Sequence, residues 1–353
     1  MQNPIKVGVA GYGMAAQVMH LPFLTTSPFY SVVNILERHH DHSPGKYPGV
    51  TVVRSIGELV ADPGTDLIVI TSPNETHFPY AKKALLAGKH VVVEKPFTVT
   101  TEEAAELIVI SRKAGRVLSV YQNRRYVNHF LTIQKILAEE LLGKPVGFEA
   151  HYDRYRPGPK PNAWREEDRP GAGIFYDLGA HLLDQALCLF GPPQTITADL
   201  RLQRSHAKAT DYFDCWLDYG LLKVSLTGGM LVREAGPRYI IHGTQGSYIK
   251  YDDDPQEALL KEGILPTIPH WGEEAPDRWG LLHTDIGGKT VRELYPSLPG
   301  NYGLYYQHLA ETLLEGAPLR VRPEQSYNTI RLIELATASS RGKETLECTG
   351  LME

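Results

Sequence analysis

Short apolar runs alternate with amphipathic segments along the first 122 residues. Six of the runs predict buried strands, at 5–10, 32–36, 51–53, 67–71, 90–93 and 117–121. Two helices lie between them: one ends at Gly88, and the other begins with a capping box at Thr100 and ends at Gly115. Buried strands separated by helices are typical of a parallel sheet that is covered on both faces. We therefore expect a doubly wound α/β architecture in this part of the chain.

From about residue 123 the pattern changes to runs with strand alternation. It predicts a helix at 128–142, strands at 146–155, 196–202, 212–219, 222–228, 239–243 and 247–251, and closing helices at 305–314 and 326–339. Their close spacing favours a large, mainly antiparallel open sheet. The segment 255–303 is rich in Pro, Gly, Trp and His, and we expect it to be irregular. The predicted domains are 1–122 and a second α/β domain at 123–353.

Composition restricts the class of protein. A chain of 353 residues is too long for one ordinary core, which supports two domains. The net charge of −5 and the lack of a basic helix or long apolar run favour neither nucleic-acid nor membrane partners. The chain has no signal-peptide pattern, and its three cysteines form no CxxC pair, which indicates neither a zinc site nor a disulfide framework. We expect a cytoplasmic protein without a bound metal.

A glycine turn follows the first predicted strand and opens a helix. The pattern is Gly11-x-Gly13-x-x-Ala16, in which the first glycine permits a tight turn and the second permits close approach of a pyrophosphate. The helix N-terminus then supplies N–H groups to the anion. The sequence therefore predicts a Rossmann domain that binds NAD(P) through Gly11, Tyr12, Gly13, Met14, Ala15 and Ala16.

The residues after the second strand bear on the choice of cofactor. Glu37 stands where a carboxylate would accept from both adenosine ribose hydroxyls and favour NAD. Arg38 can instead bind a 2′-phosphate and stack on adenine. Both residue types are present, so either cofactor is possible, and the cationic stretch Arg38-His39-His40 favours NADP.

The loop after the fourth strand offers polar groups at the same edge. It contains Ser72, Pro73, Asn74 and His77, and Asn74 and His77 could meet the sugar or carboxamide of the cofactor. Alternatively, Asn74 caps the helix that begins near Phe78. We place all four among the candidate cofactor residues.

The fifth strand ends in Glu94-Lys95-Pro96. Ligands of open α/β sheets bind at the carboxyl edge of the strands, and Lys95 delivers an ammonium group there. Pro96 fixes the backbone after it and raises the chance of a cis peptide bond. A solvated lysine at a strand end would show the same pattern, so the hypothesis depends on what accompanies it.

A second set of polar residues stands in the second half. Asp177, His181 and Asp184 are spaced to share one face of a helix whose apolar face is supplied by other residues. Alcohol oxidation needs a base for the hydroxyl proton, and histidine beside a carboxylate suits that role. Lys95 then fits the group that hydrogen-bonds the reacting oxygen.

The glycine turn, the Glu-Lys-Pro strand end and the D-x-x-x-H pattern together resemble the Gfo/Idh/MocA oxidoreductase family, which includes inositol dehydrogenases and glucose-fructose oxidoreductase. The similarity covers essentially the whole chain. Segment 121–125, Tyr-Gln-Asn-Arg-Arg, is similar to the branch that includes NADP-dependent scyllo-inositol dehydrogenases. One departure is Gly171-Ala172-Gly173, where the family often has three consecutive glycines.

The resemblance implies roles for individual residues. Lys95 and His181 are the implied catalytic pair, Asp177 supports His181, and Asp184 is a neighbour of the site. It also implies cofactor contacts from Glu94, Lys95, Asn123, Trp164 and Arg165. The implied substrate contacts are Lys95, Asn123, Tyr155, Asp177 and His181.

The expected function is reversible hydride transfer between NAD(P) and a secondary hydroxyl of a sugar, inositol or related polyol. The resemblance implies a substrate site in the interdomain cleft and a homodimer or higher homo-oligomer formed through the C-terminal sheet. One alternative is a glycosidase of the same architecture that retains NAD. The other is a nucleotide-sensing regulator without catalysis, which would need none of Lys95, Asp177 and His181.

Overall fold

A computed structural model describes residues 3–161 and 163–353. The strands are β1 Ile5–Ala10, β2 Tyr30–Leu36, β3 Thr51–Val53, β4 Leu67–Ile70, β5 His90–Val93, β6 Leu118–Val120, β7 Pro145–His151, β8 Thr195–Arg201, β9 Tyr212–Asp218, β10 Lys223–Gly229, β11 Tyr239–Gly243, β12 Gly246–Lys250, β13 Gly280–Ile286, β14 Lys289–Tyr295 and β15 Leu346–Glu347.

The α-helices are α1 Leu21–Thr26, α2 Ser43–Lys46, α3 Ile56–Ala61, α4 His77–Leu86, α5 Thr101–Ala114, α6 Asn128–Ala138, α7 Ala180–Phe190, α8 Gln256–Lys261, α9 Gly303–Glu315 and α10 Pro323–Gly342. Two segments are π-helical, Ala15–His20 and Phe175–Gly179. Short 3-10 turns occur at Asn74–Thr76, Asn123–Tyr126, Trp164–Glu166 and Pro276–Arg278. Among the described residues, no helix is long and apolar enough to cross a membrane.

The first sheet has six strands in the order β3-β2-β1-β4-β5-β6, and every neighbouring pair is parallel. This is the strand order of the Rossmann fold. β4 is buried along its whole length and Val91–Val93 of β5 are fully buried, as expected for a sheet with helices on both faces. The predicted doubly wound architecture is confirmed.

The second sheet has nine strands in the order β14-β13-β12-β11-β7-β10-β9-β8-β15. β7 and β10 pair in parallel, and the other neighbouring pairs are antiparallel. Alternation is clear in β9, where Phe213, Cys215 and Leu217 are buried while Trp216 is exposed. The predicted large, mainly antiparallel sheet is confirmed, whereas association of chains through it stays a prediction.

The chain forms two compact units. The first comprises residues up to Asn123 together with Gln256–Trp271 and Asn301–Tyr327, and the second comprises Arg124–Pro255, Gly272–Gly300 and Asn328–Glu353. The predicted division into 1–122 and 123–353 differs from this, because two later segments return to the first unit. α8 packs on the π-helical segment Ala15–His20, and α9 packs on α1.

The expectation that 255–303 is irregular is wrong. Besides α8, the segment contains β13 and β14, which form a hairpin with Ile286 opposite Lys289. The two residues between them, Gly287 and Gly288, have φ of 59° and 77°. A two-residue loop with positive φ at both positions matches the twist of an antiparallel pair and favours glycine. The Gly-Gly pair therefore indicates a hairpin. The Pro, Gly, Trp and His content of the surrounding segment had pointed to irregular structure instead.

Helix α6 is shorter than predicted, since it ends at Ala138 rather than near residue 142. Glu140 has φ of 53°, which is incompatible with continuing the helix. In contrast, α5 begins and ends as predicted. Thr100 and Glu103 form both hydrogen bonds of the capping box, and Gly115 closes the helix with φ of 61°.

Candidate active site

The two glycines of the glycine turn differ in whether the local structure requires them. Backbone conformation and packing require glycine at position 11 but not at position 13. Gly11 has φ of 123°, and a Cβ on it would lie 3.0 Å from Thr71 Oγ1. A Cβ on Gly13 would meet no atom within 4 Å, so local packing does not explain that glycine. Space left open beside a backbone at the start of a helix fits the close approach of a pyrophosphate. Ala16 is fully buried, as its packing role predicts.

The parallel strands of the first unit bring several candidate residues to one edge. Gly11 follows β1, Glu37 follows β2, Ser72 follows β4, and Glu94-Lys95 follow β5. Since parallel strands end at the same edge of their sheet, these groups surround the position where Rossmann folds bind a dinucleotide. The residues of the first unit that suit a nicotinamide cofactor are therefore grouped as the sequence predicts.

Glu37 is buried and its carboxylate is engaged by its own loop. Oε2 accepts a hydrogen bond from the His42 N–H at 3.1 Å, and Oε1 accepts one from the Ser43 N–H at 2.8 Å. Burial raises the pKa of Glu37, but the hydrogen bonds from Ser43 and His42 outweigh burial and the net pKa is lowered. Glu37 is thus an ionised acceptor that fixes the loop after β2.

Arg38 lies next to this buried carboxylate but is exposed. Its Nη2 donates to the phenol oxygen of Tyr80 at 2.8 Å. Arg54 holds the same loop, because its Nη1 donates to the carbonyl oxygens of Glu37 and His40. The charge of Arg38 is paired with no carboxylate among the described residues. It is therefore available to an anion that comes from outside the protein.

The turn after β4 is fixed to the strand end that carries Lys95. His77 is buried, with Nδ1 2.8 Å from the Pro96 carbonyl oxygen and Nε2 3.0 Å from that of Ser72. Burial lowers the pKa of His77, so the ring is neutral and only one of its nitrogens donates. This placement gives His77 a structural role between the two loops. Asn74 is buried in the 3-10 turn, while the N-cap of α4 is Thr76.

Glu94 and Lys95 follow the end of β5, and the Lys95–Pro96 peptide bond is cis, the isomer whose chance Pro96 raises. Glu94 Oε2 accepts a hydrogen bond from the Lys95 N–H at 2.9 Å. Its Oε1 lies 2.8 Å from His20 Nε2. Burial raises the pKa of Glu94, whereas the bond from His20 and the charges of His20 and Lys95 lower it, and the net shift is downward. Glu94 is therefore an ionised group beside Lys95.

His20 and Tyr306 extend this arrangement, and no sequence pattern pointed to either residue. His20 Nδ1 lies 2.5 Å from the phenol oxygen of Tyr306, and both side chains are buried. His20 is the last residue of the π-helical segment that follows the glycine turn. Because 286 residues separate His20 from Tyr306 in the chain, no local spacing could have joined them.

In the second unit, Asp177 and His181 lie where a π-helical turn joins α7. Asp177 is within Phe175–Gly179 and partly exposed, and His181 is in the first turn of α7 and buried. π-Helical turns occur frequently at functional sites. Arg165 Nε lies 3.6 Å from Asp177 Oδ1, and its guanidinium stacks on Trp164 at 4.6 Å from the ring centroid. The predicted Trp164-Arg165 pair is thus beside the predicted Asp177.

Asp184, expected as a neighbour of these residues, has another partner. Its two carboxylate oxygens accept from Arg125 Nε at 2.8 Å and Nη2 at 2.6 Å. Both side chains are more than nine-tenths buried. A bidentate, buried ion pair of this kind uses the carboxylate structurally.

The loop entering α7 explains the departure at Gly171-Ala172-Gly173. Gly171 and Gly173 have φ of 77° and 86°, while Ala172 is not in the left-handed region. A Cβ on Gly173 would lie 2.9 Å from the backbone N and O of Thr210, so that position excludes other residues. The middle position has no such requirement, and alanine is accommodated.

Tyr155 is exposed and carries the guanidinium of Arg233 over its ring at 4.0 Å. It faces Leu231 in an isolated antiparallel bridge. Among the residues that the structure describes, no three His, Cys, Asp or Glu side chains are grouped to hold a metal ion.

The sheet order, the glycine turn and the charged groups at the carboxyl edge define a dinucleotide-dependent enzyme. Residues 5–122 match the family model for the oxidoreductase family, NAD-binding Rossmann fold, and residues 134–348 match the C-terminal alpha/beta domain of the same family. The chain belongs to the Gfo/Idh/MocA family of oxidoreductases. The predicted resemblance is confirmed, and so is a nicotinamide cofactor.

Relatives match over nearly the whole chain. The uncharacterized oxidoreductase YdgJ of Escherichia coli is 44% identical, over 98% of this chain and 99% of its own. The scyllo-inositol 2-dehydrogenase (NADP(+)) IolW of Bacillus subtilis is 41% identical, over 98% of this chain and 96% of its own. The solved structure of yvaA from Bacillus subtilis superposes with a TM-score of 0.95 at 40% identity, covering 98% of each chain.

Proposed function

We propose that this oxidoreductase is an NADP-preferring dehydrogenase that acts on a secondary hydroxyl of an inositol, sugar or related polyol. The observation that carries the proposal is the strand end of β5, where Lys95 follows a half-buried, ionised Glu94 at the edge that suits a dinucleotide. A relative of similar length, IolW, is named a scyllo-inositol 2-dehydrogenase that uses NADP(+), which supports the same substrate class.

The roles follow from what each group can do chemically. The bound nicotinamide supplies the hydride acceptor or donor. Lys95 donates a hydrogen bond to the reacting oxygen and stabilises the charge that develops there. His181 takes the hydroxyl proton in the oxidative direction, and Asp177 orients it. Arg165 lies next to Asp177 and places a positive charge beside that carboxylate.

The preference for NADP is supported by the loop after β2. Both oxygens of Glu37 already accept backbone N–H groups, which reduces what the carboxylate can offer to a ribose diol. Arg38 is exposed, and Tyr80, the partner of its Nη2, is a neutral phenol, so a 2′-phosphate would gain a charged partner. The loop therefore favours the phosphorylated cofactor.

A panel of inositols, aldoses and sugar acids, each with NAD⁺ and with NADP⁺, tests the proposal by the absorbance of the reduced nicotinamide. We expect turnover of at least one polyol, faster with NADP⁺, and its loss in His181→Asn. Turnover of a glycoside without added cofactor would instead identify the glycosidase-type alternative. Cofactor binding without turnover of any compound would contradict the proposal in favour of a sensor.

A further inference from the structure

A chain of three polar groups, two of them fully buried and Glu94 half-buried, ends at Lys95. Tyr306, on α9, contacts His20 Nδ1 through its phenol oxygen at 2.5 Å, and His20 Nε2 contacts Glu94 Oε1 at 2.8 Å. The other oxygen of Glu94 accepts the backbone N–H of Lys95. Three separate parts of the first unit thus meet next to Lys95, the residue proposed to hydrogen-bond the reacting oxygen of the substrate.

The ionised carboxylate of Glu94 fixes the direction of one of these hydrogen bonds, and the protonation of the His20 ring sets the direction of the other. An ionised carboxylate only accepts, so His20 Nε2 carries the proton that is donated to Glu94. In a neutral ring, Nδ1 must then accept, and the phenol of Tyr306 donates to it. Each buried polar atom of the chain is satisfied in this arrangement, which is the condition under which such networks stabilise one geometry.

Aromatic packing holds His20 in place. The Tyr121 ring lies 4.2 Å from the imidazole, and the Tyr121 hydroxyl donates to the Met19 carbonyl oxygen at 2.8 Å. Tyr30 donates to the Tyr306 carbonyl oxygen at 2.6 Å. The imidazole can therefore neither turn away from Glu94 nor exchange partners without disturbing the core of the unit.

Several other titratable groups pack around His20 and Glu94, and the charged one is Lys95. Burial raises the pKa of Tyr30 and of Tyr306, so both phenols stay neutral, and burial lowers the pKa of His77, so that ring is neutral as well. The groups around His20 and Glu94 are His77 on α4, Lys95 after β5, Tyr121 after β6 and Tyr306 on α9, while Tyr30 on β2 and Tyr305 on α9 pack on the Tyr306 ring.

We propose that Tyr306, His20 and Glu94 form a positioning relay, which keeps Glu94 ionised and oriented so that it fixes the backbone and the electrostatic surroundings of Lys95. The inference rests on the proposed catalytic role of Lys95. His20 also belongs to the segment that follows the glycine turn, so the relay links the dinucleotide turn to Lys95. Tyr306 and His20 touch no reacting atom in this role and act through Glu94.

The chain offers a matched pair of variants to test the relay. Tyr306→Phe removes the hydroxyl at the far end of the relay. Tyr305→Phe removes a hydroxyl of the same helix that is also buried but donates to Ser119 Oγ, at 2.9 Å. Both substitutions delete one buried hydrogen bond, so their costs in stability should be similar. A difference between them therefore reports the relay rather than packing.

The first readout is the imidazole N–H proton spectrum of the full-length protein without cofactor. A charge-assisted bond to a carboxylate should shift the His20 Nε2 proton downfield. We expect this signal to disappear in His20→Gln, to move in Tyr306→Phe and to be unchanged in Tyr305→Phe. An identical spectrum in Tyr306→Phe would show that the phenol does not act on the imidazole and would overturn the relay.

The second readout is the pH profile of kcat/KM with the fastest compound of the polyol panel. We expect Tyr306→Phe to lower kcat/KM about tenfold while Tyr305→Phe stays within about twofold. Without the donor from His20, Glu94 should protonate at higher pH, so His20→Gln should move the acid limb upward by about one pH unit. Equal effects of the two phenylalanine variants, with an unmoved acid limb, would reject the positioning role.

The variant Lys95→Ala distinguishes a failure of the relay from a failure of the proposed function. If Lys95→Ala retains wild-type turnover, the proposed role of Lys95 is wrong, and the relay has nothing to position. If Lys95→Ala is inactive but Tyr306→Phe behaves as Tyr305→Phe in both readouts, the function stands and the relay alone is rejected.

Discussion

The surroundings of Lys95 and of Asp177 differ in kind, although both residues are proposed to serve one reaction. Glu94, beside Lys95, is held by a buried imidazole and a buried phenol, and the turn that contains Pro96 is held by His77. Asp177 instead lies on a π-helical turn with a quarter of its side chain exposed, beside the more exposed Arg165. The first region is held by hydrogen bonds between buried side chains, whereas the second lies on a more exposed turn at the start of α7.

The comparison suggests a division of labour. Rigid surroundings suit a group that must stabilise charge without reorganising, which is the role proposed for Lys95. Groups that orient the base or recognise a substrate tolerate more exposure, as Asp177 and Arg165 do. On this view the first unit supplies the fixed group that stabilises charge, and the second supplies His181 together with the more exposed Asp177 and Arg165.

Removal of Lys95 should have the largest effect. Lys95→Ala deletes the donor to the reacting oxygen, and we expect kcat to fall about a thousandfold. The Kd for NADP, measured by fluorescence titration, should change less than about threefold, because the glycine turn and Arg38 are untouched. Lys82→Ala, which removes an exposed lysine of the same unit that pairs with Glu106, should leave both quantities unchanged. A variant with wild-type kcat would remove Lys95 from the chemistry.

The buried ion pair of Asp184 with Arg125 stabilises the helix that carries His181. Asp184→Asn leaves Arg125 buried without a charged partner, and we expect the free energy of unfolding to fall by about 3 kcal/mol. The matched control is Asp199→Asn, which removes the carboxylate of an exposed pair with Arg201 and should cost less than about 1 kcal/mol. Denaturant titration measures both. A stable Asp184→Asn protein that has lost turnover would assign Asp184 to the chemistry instead.

Much of the fold could be predicted, because its signals are local. The buried strands, the glycine turn and the capping box of α5 each lie within a few adjacent residues, and the structure contains all of them. The β13–β14 hairpin was missed although its Gly287-Gly288 loop is just as local. In that segment the high content of Pro, Gly, Trp and His pointed to irregular structure and hid the local turn signal.

Sequence patterns identified the candidate site residues that belong to local motifs, but not the partners of those residues. Helical spacing placed Asp184 with Asp177 and His181, but Arg125, 59 residues earlier in the chain, determines what that carboxylate does. Similarly, the sequence places Glu37 after the second strand, but only the fold shows that its carboxylate also accepts the backbone N–H groups of residues 42 and 43. Roles of polar side chains depend on partners that only the fold supplies.

The smallest expected effect tests whether the first region also selects the cofactor. Arg38→Ala should weaken NADP binding about tenfold, since one charge-assisted hydrogen bond to the 2′-phosphate is lost, and should leave the Kd for NAD within about twofold. Lys46→Ala removes another exposed cation just after the loop that Glu37 fixes, so it controls for a general change of charge. The NADP-specific loss should also shrink at high salt, because exposed ion pairs are screened. Equal losses for NAD and NADP would mean that Arg38 meets the adenine or the shared phosphates, and the choice of cofactor would then lie elsewhere.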